Sequence, residues 1–469
     1  MNDSQSVAAV LESLSRSRTQ TIEALSELSC IPGVSASGFD AGQVERSALA
    51  VRELLEGAGL EHAEVLRLPG VHPYVVADWL HAGDVPTVLV YAHHDVQPPG
   101  RVEQWQSPPF EPTLRDDGRL YGRGVVDDKA GLFVHLAAIR AWLETTEALP
   151  VNLKLLVEGE EEIGSPNLGD FLRLHSERLA CDVIVLSDTA NLAEGLPSLT
   201  TSLRGLVSID VTVRALDHPV HSGMWGGPVM DAASALARIL SRLVDDRGRA
   251  TIPGLDDDLP GVSAAQRAAL EALPFDVAEF RGDAGLLPDG ALTGDSSASV
   301  YERLWLRPAV AVTAMEAVPL AESANQLIDA ARARVSVRIA PGQDPERVRD
   351  CVVGLLKQQP PWGVSVETAC EACAPGWQIG PASAAFEAAR QALEAGYGVP
   401  AVEIGCGGTI PFVGPFAEVM RGAPAILLGL EDPICNAHGE NESLSLNDFD
   451  RSCRSAVHLY RALGELILP

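Results

Sequence analysis

The chain has 469 residues, 46% hydrophobic and 21% charged, a make-up that suits a water-soluble globular protein with two or three full-sized cores. A formal net charge of −29 would repel phosphate backbones and anionic lipid headgroups, and 5% aromatic residues give no base-stacking surface, so nucleic-acid and membrane partners are excluded. The opening stretch MNDSQSVAAVLESLSRSRTQ lacks the apolar centre of a signal peptide, no run reaches the roughly 18 apolar residues of a membrane span, and the eight cysteines are scattered. A cytoplasmic, reduced protein is expected. Cys370 and Cys373 form a lone C-x-x-C without the second pair that a zinc ribbon needs.

Apolar residues at helical spacing predict a helix over Val7–Leu28, stopped by Ile31-Pro32-Gly33. Strand and helix patterns then alternate to about residue 200, including a helix around Gly131–Leu143, which implies a largely parallel sheet covered by helices. Three apolar strands of this segment, TVLVYAHHD, LKLLVEGEEE and CDVIVLSD, run straight into acidic or imidazole groups. Near Gly205 the texture changes. Val207, Ile209, Val211 and Val213 alternate with Ser208, Asp210, Thr212 and Arg214, as in an antiparallel strand with one wet face. Ala331, Ala333, Val335, Val337 and Ile339 repeat the pattern, with Arg332, Arg334, Ser336 and Arg338 on the opposite face. Val229, Ala232, Leu236, Ile239, Leu240 and Leu243 mark an amphipathic helix between them, and Val348–Gln358 marks another. The acidic, Pro- and Gly-rich stretch from about Asp245 to Asp295 reads as a long surface excursion. After Pro375 the α/β pattern returns, with PAILLGL as a buried strand ahead of His438. The expected fold is an α/β domain, residues 1–203 and 376–469, interrupted by a smaller α+β domain over 204–375.

Open α/β sheets carry their chemistry beyond the carboxyl ends of strands. Carboxylates and imidazoles delivered there by separate strands point to a metal site, because a cation makes so much negative charge tolerable. In Ala92-His93-His94-Asp95 the strand period of two places His93 and Asp95 on one face, where Asp95 can orient a metal-bound His93; His94 reads as a packing residue. Asp127 and Asp128 follow the turn Tyr121-Gly122-Arg123-Gly124 and on their own suit a helix N-cap equally well. Glu160, Glu161 and Glu162, then Asp188, follow buried strands; His438 sits in Asn436-Ala437-His438-Gly439-Glu440-Asn441-Glu442. Two histidines and three carboxylates, one of them bridging, would give each of two metals three protein ligands, and a spare glutamate beside the ligand glutamate would serve as base toward water.

In order along the chain, TVLVYAHHDVQP, RLYGRGVVDDKAG, VEGEEEIGSPNL, VIVLSD, HPVHSGMWGGP and NAHGENE resemble the dinuclear zinc peptidase family of aminoacylase, acetylornithine deacetylase and the carnosine dipeptidases. The excursion containing GRATIPGLDDD is most similar to the carnosine dipeptidase branch, whose members cleave dipeptides and similar short substrates. The resemblance implies a zinc-exopeptidase-type catalytic domain with a mixed, largely parallel sheet and an inserted lid and dimerisation domain, hence a homodimer. It further implies that His93 and Asp188 hold one ion, Glu162 and His438 the other, Asp127 bridges, Asp95 orients His93 and Glu161 activates the water. His221 matches the family histidine that stabilises the oxyanion, reaching in from the neighbouring subunit in relatives, and Arg338 matches the arginine that binds the substrate carboxylate; Asn325, Gly408 and Thr409 are further substrate contacts. Two divalent ions are expected, zinc first, with manganese or cobalt as alternatives because carboxylate-rich sites select poorly by affinity.

Relatives of that branch commonly carry Arg-Glu before Gly-Gly-Ser-Ile-Pro, whereas this chain has Gly405-Cys406 before Gly407-Gly408-Thr409-Ile410-Pro411. One basic contact to the substrate carboxylate would then be missing. The expected activity is metal-dependent hydrolysis of the amide bond of dipeptides or similar conjugates. An N-acyl amino acid deacylase with the same centre is the first alternative, and a non-catalytic metal-binding protein the second.

Overall fold

Four of the apolar runs become adjacent parallel strands whose carboxyl ends point the same way. The computed structural model describes residues 3–379, 383–408, 416, 418–420 and 422–467. It divides into two units, one of residues 1–201, 379–404 and 411–469, the other of residues 202–378 and 405–410.

In the first unit seven strands of the main sheet lie in the spatial order Glu61–Leu66, Tyr74–Trp79, Asn152–Glu158, Thr87–His93, Val183–Ala190, Ala425–Glu431 and Ser198–Leu203. The middle four pair in parallel and the outer pairings are antiparallel, so the sheet is mixed. The parallel strands are nearly continuous apolar runs because helices cover both faces. Lys129–Thr146 is buried over most of its length and packs with Asp3–Ser29 and Leu446–Gly464 into one core. It starts two residues earlier and ends three later than the helix expected from apolar spacing, closing on a left-handed Glu147 whose N–H donates to the carbonyl of Leu143. Register sets the site: His93 pairs with Glu158, and Tyr91 pairs with Leu186, two residues before Asp188.

The second unit has a four-stranded antiparallel sheet in the order Ala309–Glu316, Ala330–Ile339, Gly205–Arg214, Ser365–Ala374. Val207, Ile209, Val211 and Val213, with Ala331, Ala333, Val335, Val337 and Ile339, form a buried core beneath the helices Ala232–Leu240 and Pro345–Lys357. On the wet face Arg334 reaches Asp210 across the strands at 2.6 Å. The stretch after Asp245 is largely exposed, as its composition predicts, apart from Ile252 and Leu255, which are buried in the core of the unit. Nor is it irregular throughout, since it folds the helices Ala264–Ala272 and Val277–Asp283, neither with a buried residue. Ser263 and Gln266 form a capping box that starts the first of them without help from a core.

Candidate metal centre

Asp127 is the hub. Its Oδ1 lies 3.0 Å from His93 Nε2, and its Oδ2 lies 2.9 Å from His438 Nε2. His93 Nε2 is 3.8 Å from Asp188 Oδ2, and His438 Nε2 is 3.2 Å from Glu162 Oε2. Potential ligand atoms of His93, Asp127 and Asp188 all fall within 4.8 Å of one another, and so do those of Asp127, Glu162 and His438. One carboxylate therefore offers an oxygen to each of two neighbouring triads, each made of one imidazole and two carboxylates. Such a donor set fits borderline or hard divalent cations.

The electrostatics of the pocket call for positive charge. Burial opposes charging of His93, yet its hydrogen bonds to Asp127 and Asp95 hold its pKa well above the ordinary imidazole value. Hydrogen bonds donated by the His438 ring to Asp127 and Glu162 push its pKa up to about 11. Burial, then the neighbouring Asp128, raises Asp188 well above the carboxylate range. A bound cation satisfies the same carboxylates.

Supporting contacts fix each group. His93 Nδ1 lies 3.1 Å from the main-chain carbonyl of Asp95 and 3.5 Å from its carboxylate. That carboxylate also accepts the N–H groups of Glu161 and Glu162, at 3.2 and 3.1 Å, so it ties the His93 strand end to the glutamate turn. Asp128 accepts the main-chain N–H of His93 at 3.1 Å. His94 is fully buried against the carbonyl of Pro73, and burial lowers its pKa to about 4. The three consecutive glutamates separate cleanly. Glu160 accepts from Tyr74 and Asn167, and Glu162 from Gln97. Glu161 has no hydrogen bond or ion pair to its carboxylate among the described residues, and burial, opposed by His93 and helped by Glu162, pushes it up to about 7.

Gln97, Arg123 and Glu442 escaped the sequence reading. Only the glycines flanking Arg123 and the repeated acids after His438 hinted at them. Gly131 is a further constraint, because a methyl there would lie 1.9 Å from Asp128 Oδ1 and 2.5 Å from the carbonyl of Ser187. Gly131→Ala is expected to cost about 1–3 kcal/mol by overpacking and to weaken metal binding, as read by melting temperature with and without zinc.

The other expected site residues belong to the second unit. His221 pairs with Gln326 across a two-stranded ribbon, and the N–H of Ser222 donates to the carbonyl of Asn325 at 2.8 Å, which brings His221 and Asn325 together. Arg338 stands on the strand Ala330–Ile339, paired with Leu206 and Ala309. Gly408 donates its N–H to Cys406 Sγ at 3.3 Å, and Thr409 lies outside the described residues. A Cβ on Gly405 would come 2.5 Å from Trp305 Cβ and 2.8 Å from Ser202 Oγ, so the backbone has no room there for a larger residue.

The chain is 32% identical over 454 residues to the cysteinylglycine-S-conjugate dipeptidase of Corynebacterium striatum, covering 96% of this chain and 97% of that protein. It is 28% identical over 462 residues to the Cys-Gly metallodipeptidase dug1 of Schizosaccharomyces pombe, with 95% of each covered. Human carnosine dipeptidase 1 shares the fold, with a TM-score of 0.83 at 23% identity over 98% of this chain and 99% of that one. An M20 family metallo-carboxypeptidase, Sso-CP2 from Sulfolobus solfataricus, superposes with a TM-score of 0.82 at 27% identity, over 95% of this chain and 99% of that one. Residues 89–462 match the profile of peptidase family M20/M25/M40. With acids and imidazoles gathered at the ends of parallel strands, and a match over most of its length, the chain belongs to peptidase family M20/M25/M40.

Proposed function

We propose that this protein is a two-metal amide hydrolase that cleaves dipeptides with a free carboxylate, acting as a cytoplasmic homodimer with zinc as the first-choice ion. The observation that carries this reading is Asp127 shared between two triads, with the uncommitted Glu161 beside them. Two divalent ions, held by His93, Asp127 and Asp188 and by Asp127, Glu162 and His438, would supply electrophilic activation of the scissile carbonyl and of water. Glu161 takes the proton of the attacking water and passes it to the leaving amine. His221 meets the developing oxyanion, and Arg338 pairs with the substrate carboxylate, with Asn325, Gly408 and Thr409 completing the substrate contacts. The dipeptidase names of curated relatives support the substrate class.

A second reading, an N-acyl amino acid deacylase, is favoured by one observation: the tight packing of Gly405 against Trp305, where branch members commonly carry a basic residue. Metal analysis coupled to a substrate panel separates the two. Cys-Gly, its S-alkyl conjugates and β-Ala-His should be cleaved well ahead of N-acetyl and N-succinyl amino acids. The reverse order would make the protein a deacylase, and stoichiometric zinc without any cleavage would remove both enzyme readings. Arg338→Ala is expected to raise KM roughly 10- to 100-fold with a smaller change in kcat, the worth of one charged hydrogen bond of about 1.5–3 kcal/mol. Steady-state kinetics on the best dipeptide check it.

A further inference from the structure

The loop that presents His438 is conformationally unfavourable. Asn436, His438 and Asn441 all adopt left-handed backbone, with φ of 54°, 64° and 63°, and a Cβ on Gly439 would sit 2.4 Å from Asn436 Nδ2. Non-glycine residues persist in that region only when their surroundings over-determine them. Packing of the His438 side chain is not what does so, since 60% of it is exposed.

The main chain of the loop is held instead. Arg123 Nη2 donates to the carbonyls of His438 at 3.2 Å, Gly439 at 3.1 Å and Pro98 at 3.0 Å. Its Nη1 donates to Glu442 at 2.7 Å, and both side chains are buried, with exposures of 1% and 0%. Glu442 in turn accepts the N–H groups of Gly124 at 2.9 Å, Val126 at 3.1 Å and Asp127 at 3.3 Å. One ion pair thus grips the backbone on either side of the second triad: the turn that carries Asp127 and the loop that carries His438.

We propose that the buried Arg123–Glu442 pair is a positioning device for the second ion: it sets the separation of Asp127 and His438 and so decides whether the chain holds two ions or one. The inference rests on the two-metal reading above. The first triad depends on it less, because His93 and Asp188 sit on paired strands and share only Asp127 with the clamp. Outer partners of metal ligands commonly contribute about 10- to 100-fold in metal affinity.

The test is a zinc titration of the full chain against a competing chelator, run on the wild type, Arg123→Lys, Glu442→Gln and His438→Ala, with folding followed by circular dichroism. Lysine keeps the charge but, as a point donor, cannot span Glu442 and three carbonyls. The wild type should bind two ions. Arg123→Lys and Glu442→Gln should hold one ion within about threefold of the wild-type affinity and bind the other about 10- to 100-fold more weakly. His438→Ala defines which ion is lost, so adding Arg123→Lys to it should cause no further loss. Wild-type protein that takes up one ion or none sinks the two-metal reading itself. If the wild type takes up two, then both affinities unchanged in Arg123→Lys, or an equal fall at both sites, overturns the clamp. Should Glu442→Gln fail to fold, Arg123→Lys decides alone, and failure of Arg123→Lys to fold would also overturn the proposal by showing a general structural role.

Discussion

Glu161→Gln is expected to keep both metal ions and lose turnover by roughly 10²- to 10⁴-fold, the usual worth of a general base. Of the three consecutive glutamates, Glu160 is bound by Tyr74 and Asn167 and Glu162 by Gln97, so only Glu161 is at liberty to exchange a proton. Turnover near the wild-type level in a fully metal-loaded variant would remove Glu161 from the chemistry. The pH dependence follows the same group. In metal-free protein its pKa, pushed by burial from 4.5 up to about 7, makes the folded state favour the protonated carboxyl. The stability this contributes is complete below the unfolded value and is lost as pH rises through about 7. Metal-free wild type should therefore lose more stability across that window than metal-free Glu161→Gln, which thermal melts at several pH values would read. With Glu161 as the base it must work charged, and cations held by the two neighbouring triads would favour the charged form, so the acid limb of kcat/KM should fall below pH 7. Identical limbs in wild type and variant would contradict this assignment.

Asp127→Ala should have the larger effect on metal content. Asp127 offers one oxygen to each triad, and without it His93 and Asp188 on one side, and Glu162 and His438 on the other, would be left as two-ligand sites. Both ions should weaken by more than the roughly 10- to 100-fold that loss of an outer partner costs, which compounds to about 10²- to 10⁴-fold in turnover at limiting zinc. Elemental analysis after dialysis should find less than one ion per chain, and excess zinc should recover only part of the activity. Two tightly held ions in this variant would show that Asp127 is not shared. Chelation of the wild type should mimic the loss and be reversed by added zinc, which separates loss of metal from loss of fold.

Why some of this was legible in the sequence and some was not follows from the range over which each signal acts. Hydrophobic runs of strand length ending in His93, Glu160 to Glu162 and Asp188 are local, and burial of both faces of a parallel sheet enforces them residue by residue. Strict alternation over Val207–Val213 and Ala331–Ile339 likewise exposed one face of the second sheet. Its two partner strands escaped. Ala309–Glu316 is largely exposed, and Ser365–Ala374 carries a bulge after Cys370, so neither shows a clean period.

The amino-acid order by itself determined the strand periodicities, the acids that end the buried strands, and the family motifs. Only the tertiary structure decided that the outer pairings of the first sheet are antiparallel, that Gly405 has no space for a larger residue, and that Arg123 meets Glu442 across 319 positions of chain. Those outcomes depend on groups that become neighbours only after folding. Apolar spacing records which face of an element is buried, whereas a buried guanidinium gripping a left-handed loop leaves no period to read.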